Sequence, residues 1–211
     1  MGLPIAKVVG TFVIGRGDVA KQHEVKIQEF QGMIRQAALF KMQDQSGVED
    51  IVAVDHLNRR SSILGHWLTL VMISGRKVKI CFKVHFNTEN GRELLAVGSK
   101  IERSKIERRM IFDRLKEFCN LAGGAIKQCL GVENDRSGLS LPLLARGFDE
   151  VLFMDRALRA NALKYRDVWV LAAPSFKVTC SSEIQIVDWT VLKDIQPIAR
   201  KRENEGELEF L

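Results

Sequence analysis

The sequence predicts an α+β domain in which an antiparallel β-sheet carries helices on one face and a long central helix presents a small group of polar residues. Three observations lead there. Short β-rich runs with period-two alternation occupy residues 50–86, and two of them are joined by a glycine-centred turn. A 22-residue stretch from Met110 to Gly131 has helical periodicity. Two further β-like runs return at residues 167–187. The order hairpin, helix, helix, strands is that of a sheet with its helices gathered on one side. With 211 residues, 46% of them hydrophobic, the chain can bury one substantial core. A single domain is expected over residues 1–192, including an N-terminal extension, with residues 193–211 as a flexible tail.

Residues 5–14 are β-like and end at Gly15 to Gly17. From about Ala20 to Met42, Phe30, Ile34, Ala37 and Ala38 recur at helical spacing, with Gly32 weakening the middle. Strands are expected at Asp50 to Val54, His66 to Ile73 and Lys77 to Phe86, the last two forming a hairpin about Ser74-Gly75-Arg76. Along the third run Val78, Ile80, Phe82, Val84 and Phe86 share one face. Lys77, Lys79, Cys81, Lys83 and His85 share the other, which is expected to be wet or lightly covered.

Asn90, with Glu93 as its reciprocal partner, is expected to cap a helix carrying Leu94, Leu95, Val97 and Ile101. A second S-x-x-E pattern at Ser104 to Glu107 places the start of the central helix there, and Gly131 is its left-handed stop. Leu139 to Leu144 reads as a strand whose Pro142 marks an edge or a bulge. A further strand is expected near Val151 to Met154. Asp167 to Ala173 and Phe176 to Val187 close the sheet around Pro174-Ser175.

The central helix carries the chemistry. At about 100° per residue, Ile111, Leu115, Phe118, Ala122, Ala125 and Cys129 form one apolar stripe, with successive spacings of four, three, four, three and four. Opposite lie Asp113, Glu117, Asn120 and Gly124. The pattern D-x-x-x-E-x-x-N with a glycine four residues on sets a carboxylate and a carboxamide one turn apart, over a patch that a partner can approach closely.

Other chemistries lack their residues. The sequence has no G-x-x-x-x-G-K-[ST] loop, H-E-x-x-H pair, G-x-S-x-G elbow or dinucleotide glycine fingerprint. Four scattered cysteines, Cys81, Cys119, Cys129 and Cys180, have no C-x-x-C spacing, and Cys119 reads as an ordinary thiol rather than a nucleophile. His56, His66 and His85 have no metal-ligand spacing, so no metal is expected. No apolar run is long enough to span a bilayer, and the first residues do not form a secretion signal; a reduced, cytoplasmic protein without a membrane partner is expected. The net charge of +6 points to acidic partners. The cations from Lys100 to Lys116 are interleaved with carboxylates, however, and read as a solvated face with local pairs rather than a nucleic-acid stripe.

The D-x-x-x-E-x-x-N helix resembles the signature of the CheC/CheX/FliY chemotaxis phosphatases. In that family an Asp or Ser precedes E-x-x-N on a surface helix, commonly followed by a strand with a Pro and a Gly. Here Gly138 to Gly147 reads GLSLPLLARG. The resemblance covers the middle half of the chain, and its single motif is closer to CheX than to two-site CheC members. It implies hydrolysis of the aspartyl phosphate of a CheY-like response-regulator receiver in two-component signalling. Asn120 would orient the attacking water, Glu117 would pair with the receiver's active-site lysine, and Asp113 and Gly124 would help seat the partner. It implies no cofactor of the chain's own and Mg²⁺ on the receiver. Two alternatives are a receiver-binding or flagellar-switch-like module without catalysis, and a basic binder of nucleic acid or anionic surfaces. A homodimer is left open.

Overall fold

A computed structural model describes residues 16–56, 65–99, 101–131, 137–147, 149, 164–193 and 195–197. The expected strands at residues 5–14 and 151–154 lie outside these residues, as do residues 198–211 of the expected tail.

Among the described residues, three α-helices accompany a seven-stranded antiparallel sheet. The elements run α1 (Arg16–Ser46), β1 (Val52–Asp55), β2 (Trp67–Ser74), β3 (Val78–Phe86), α2 (Thr88–Ser99), α3 (Arg108–Cys129), β4 (Gly138–Leu139), β5 (Leu143–Arg146), β6 (Lys164–Ala172) and β7 (Lys177–Ile186). The sheet order is β1-β6-β7-β3-β2-β4, with β5 also paired to β2. The expected hairpin joins β2 and β3, closed by Gly75 N–H donating to the Val78 carbonyl at 2.9 Å. Pro142 falls between β4 and β5, both short strands on the outer edge of β2, as its missing N–H requires.

One face of the sheet packs under α1 and α3. Val78, Ile80, Phe82, Val84 and Phe86 are all buried there, and the Phe82 ring meets Phe118 of α3 edge-on at 6.4 Å. On α1, Phe30, Ile34, Ala37 and Ala38 are fully buried, so the period read from sequence is the one that packs. Gly32 sits on the open side of α1, where a side chain would meet nothing within 4 Å.

A charge network fastens α1 to β6 and β1. Arg35 donates Nε and Nη2 to the two carboxylate oxygens of Asp167, each at 2.6 Å, and Nη1 to Asp55 at 2.6 Å. Its guanidinium also lies over the Trp169 ring, 5.7 Å from the centroid. These partners are 132 and 20 residues away in sequence.

The start of α2 and one face of β3 differ from expectation. The cap of α2 is Asn87, whose Oδ1 accepts from Asn90 N–H at 2.7 Å; Asn90 is already inside the helix. Glu93 instead pairs with Arg103 at 2.7 Å, and Val97 is exposed rather than packed. The far side of β3 is not uniformly wet. Lys79 is exposed, but Lys83 and His85 are buried, because β7 lays matching partners beside them. Lys83 Nζ reaches Glu183 at 2.7 Å, and the His85 ring lies 3.1 Å from Ser181 Oγ.

Burial, reinforced by Lys83, Arg166 and His56, lowers the His85 pKa from 6.5 to about 3. The folded chain then stays neutral where the unfolded chain takes up a proton. This contribution is present above pH 6.5 and is lost progressively as the pH falls toward about 3. The urea midpoint is expected to fall between pH 6.5 and about 5, above most carboxylate titrations. His85→Gln should flatten that fall; an identical slope in the variant would show that His85 is not its source.

Candidate functional site on the central helix

The helix α3 begins at Arg108, four residues after the Ser104 start expected from sequence. Ser104 spends its hydroxyl on Glu102, at 2.7 Å, within a 3₁₀ turn over Arg103–Lys105. Ile106 then turns extended, at φ −82° and ψ 108°, to bury its side chain, and this interrupts the helix. At the other end α3 stops at Cys129, and Gly131 takes the expected left-handed conformation at φ 77°. The Cys129 carbonyl, left without a partner in its own helix, accepts from Gln196 N–H at 2.9 Å.

The predicted stripe is the packed one: Ile111, Leu115, Phe118, Ala122, Ala125 and Cys129 are all buried. Its phase turns Asp113, Glu117 and Asn120 outward, and all three are exposed. The glycine pair divides between the two sides. A Cβ on Gly123 would lie 2.7 Å from Val71 Cγ2 and 3.1 Å from Leu139 Cδ1, so Gly123 lets α3 come down onto β2 and β4. A Cβ on Gly124 would meet nothing within 4 Å, which leaves bare backbone beside Asn120. Leu121, 41% exposed, adds an apolar side chain at the margin of this patch.

The carboxylates lie within local cation pairs, as the interleaved charges suggest. Asp113 is 2.9 Å from Lys116 and 3.7 Å from Arg109. The hydrogen bond from Lys116 holds the Asp113 carboxyl below its ordinary pKa. Glu117 lies 3.5 Å from Arg114, whose other terminal nitrogen donates to the Gln45 carbonyl in the last turn of α1. The Asn120 amide has no hydrogen-bond partner among the described residues. Cys119, next to it in sequence, faces the opposite way. It is fully buried, and burial raises its pKa, so it cannot serve as a thiolate nucleophile on the open face. Among the described residues no three His, Cys, Asp or Glu side chains gather as a metal site, and no helix is long and apolar enough to cross a membrane.

Sequence reasoning missed Arg114, which was read only as one cation in a basic run. The Glu at i+3 was a signal for its pairing with Glu117; its contact with α1 had none.

The architecture is that of an α+β protein with two long helices, α1 and α3, laid against each other on one face of an antiparallel sheet. More narrowly, the chain has the fold of the CheC and CheX chemotaxis proteins, as expected from the motif. CheX from Vibrio vulnificus superposes with a TM-score of 0.56 at 10% identity, covering 74% of this chain and 99% of that one. The CheX of a CheX–CheY–BeF3–Mg complex from Borrelia burgdorferi gives 0.56 at 14% identity, covering 74% and 97%. A CheC-like protein from Shewanella sp. PV-4 gives 0.53 at 11%, covering 74% and 96%. No protein-family model matches the sequence, and no curated protein matches it.

The two glycines should respond oppositely to substitution. Gly123→Leu forces a side chain into Val71 and Leu139 and should destabilise the fold by about 1–3 kcal/mol or more. Gly124→Leu should leave stability unchanged or raise it by a few tenths of a kcal/mol through better helix propensity. Thermal unfolding of the two variants provides the comparison, and equal losses would mean that Gly124 belongs to the internal packing.

Proposed function

We propose that the chain is a CheX-like phosphatase that hydrolyses the aspartyl phosphate of a response-regulator receiver domain. The observation that carries this reading is the exposed Glu117–Asn120 pair, one turn apart on α3 and beside the open backbone of Gly124. The CheX of Borrelia burgdorferi, which shares this fold, was crystallised with CheY, and this supports a receiver as the partner.

An acyl phosphate is already activated, and the receiver's own Mg²⁺ would neutralise charge on the transferring group. What the complex needs from this chain is a positioned water. A carboxamide is too weak a base to take a proton outright, so Asn120 acts by orientation. It hydrogen-bonds a water in line with the phosphorus–oxygen bond to be broken, much as an orienting Gln does in nucleotide hydrolases. Water adds to phosphorus, the aspartate leaves as its carboxylate, and inorganic phosphate is released. Glu117 exchanges its loose pairing with Arg114 for the receiver's active-site lysine and so fixes the docking register. Gly124 leaves room for the partner's backbone, and Asp113 stands at the rim.

A docking module without catalysis would use the same surface, and two variants separate the readings. Asn120→Ala should leave receiver affinity nearly unchanged but slow phosphate release by roughly 10²-fold, the scale of losing one positioned hydrogen-bonding group. Glu117→Ala should weaken both affinity and release, with its effect on affinity shrinking in high salt. Gly124→Leu, although folded, should not bind. Unchanged release with Asn120→Ala would leave a docking module and remove the phosphatase assignment.

A further inference from the structure

The outer edge of the sheet beside α3 carries a leucine that the core does not use. Leu141 is 82% exposed, more than any other large apolar side chain among the described residues, and it stands where β4 gives way to β5. Its position follows from the register on β2. Leu139 is opposite Ile73, and Leu143 is opposite Leu70. Ser140 is joined to Met72 by two bonds: its N–H donates to the Met72 carbonyl at 2.9 Å, and its Oγ accepts from Met72 N–H at 2.9 Å. Leu141 and Pro142 are thus left together opposite the single residue Val71, which makes a β-bulge.

Val71 is also the residue that a Cβ on Gly123 would strike, at 2.7 Å. The bulge is therefore level with Gly123, one residue from the bare backbone of Gly124 and three from Asn120. It lies on the flank of α3 that meets β4, since Leu139 Cδ1 is 3.1 Å from the same Cβ. The other flank of α3 faces α1, where Arg114 bonds the Gln45 carbonyl. Leu121 comes two turns after Arg114, in nearly the same phase, and is the exposed apolar side chain on that flank. The strip of Asp113, Glu117, Asn120 and Gly124 is bracketed by these two leucines.

Single apolar side chains on a surface are ordinary. Two features set Leu141 apart. The ladder is broken to place it, because the Ser140 hydroxyl takes the Met72 N–H and Pro142 has no N–H to give. Its level on the sheet is the second: a partner that reaches Asn120 across Gly124 comes down beside the same bulge. Exposed charged and amide groups orient a partner more than they hold it. Glu117 and Asn120 alone would therefore dock weakly, and an apolar anchor is what such a surface needs.

We infer that Leu141 is an apolar anchor for the receiver domain, with Leu121 as a lesser contact on the opposite flank, and that it selects receivers carrying an apolar patch beside the phosphorylated aspartate. This rests on the receiver reading of α3 and adds to it a contact from a different element, the edge between β4 and β5.

The test uses the full chain and the CheY-like receivers of its source, activated with BeF3 and Mg²⁺, of which the tightest binder is carried forward. Leu141→Ser should leave the Tm unchanged, because the side chain is already in water, and should weaken affinity about tenfold or more. Unlike the effect of Glu117→Ala, this loss should persist in high salt. With the phosphorylated receiver it should raise KM and leave kcat nearly unchanged, as expected for a contact made equally before and during the reaction. Leu141→Met, still apolar, should keep affinity within about threefold. Wild-type affinity in Leu141→Ser, equal losses in the serine and methionine variants, or a loss that disappears with salt would overturn the anchor. So would altered sedimentation of the isolated Leu141→Ser chain without a change in receiver affinity, which would make Leu141 a contact between copies. Asn120→Ala measured alongside keeps the two questions apart. Slowed release there with unchanged affinity in Leu141→Ser removes the anchor and keeps the phosphatase, whereas the reverse pattern leaves a docking module that uses Leu141. If no receiver binds the wild type, both fall.

Discussion

The close approach of α3 to the sheet at Gly123 is the constraint on which the rest of the site depends. A Cβ there would collide with Val71, so the missing side chain determines how near the helix can lie to β2. That depth, together with the buried stripe from Ile111 to Cys129, also fixes how the helix is rolled. A rotation by one residue, about 100°, would drive Glu117 and Asn120 toward the sheet and lift Phe118 and Ala122 into water. Hydrophobic burial over six positions resists this far more strongly than any single polar contact on the open face. The geometry of the pair is therefore set from the inside.

The same logic explains what the sequence made legible. A helix of about six turns repeats its period enough times for its phase to be read, so the exposure of Asp113, Glu117 and Asn120 followed from their spacing to Leu115 and Phe118. Helix phase put Gly124 on the open side with Asn120, but propensity treats Gly123 and Gly124 alike and carried no sign of the sheet contact at Gly123. Only the sheet beneath distinguishes a residue that must lack a side chain from one that merely does. Helix starts were less legible for a related reason. Ser104 and Asn90 both had the composition of caps. Ile106 had an apolar site to fill that required extended backbone, however, and Asn87 lay one step nearer the true start of α2. Local pattern proposes several starts, and tertiary burial selects one.

Long-range polar pairing was invisible. Nothing near Arg35 in sequence announces Asp167, and nothing in the alternation of β3 reveals that Lys83 and His85 are buried. Strand periodicity assigns a face but not what covers it. The polar residues of β3 can be buried because β7, about a hundred residues later, supplies Glu183 to Lys83 and Ser181 to His85, each two positions along β7 from the residue directly opposite. A fold class can be inferred from periodicity because it depends on many weak, repeated signals. A buried ion pair depends on two residues and leaves no repeated signal at all.

The electrostatic state of the open face suits a surface that exchanges partners. Glu117 is 58% exposed and its nitrogen–oxygen distance to Arg114 is 3.5 Å, an arrangement that adds little to stability in water. Releasing Glu117 to another cation therefore costs little, and Arg114 does not become an orphan charge, because it keeps the Gln45 carbonyl. Asn120 has even less to give up, since its amide has no partner to leave among the described residues. Contrast Arg35, whose carboxylate partner Asp167 is buried and held at both oxygens. Removing a partner there would strand a partly buried charge. The Arg35 pairing is thus closed where α1 is fixed to the sheet, whereas the pairing of Glu117 is weak and open on the helix face where the proposed receiver would dock.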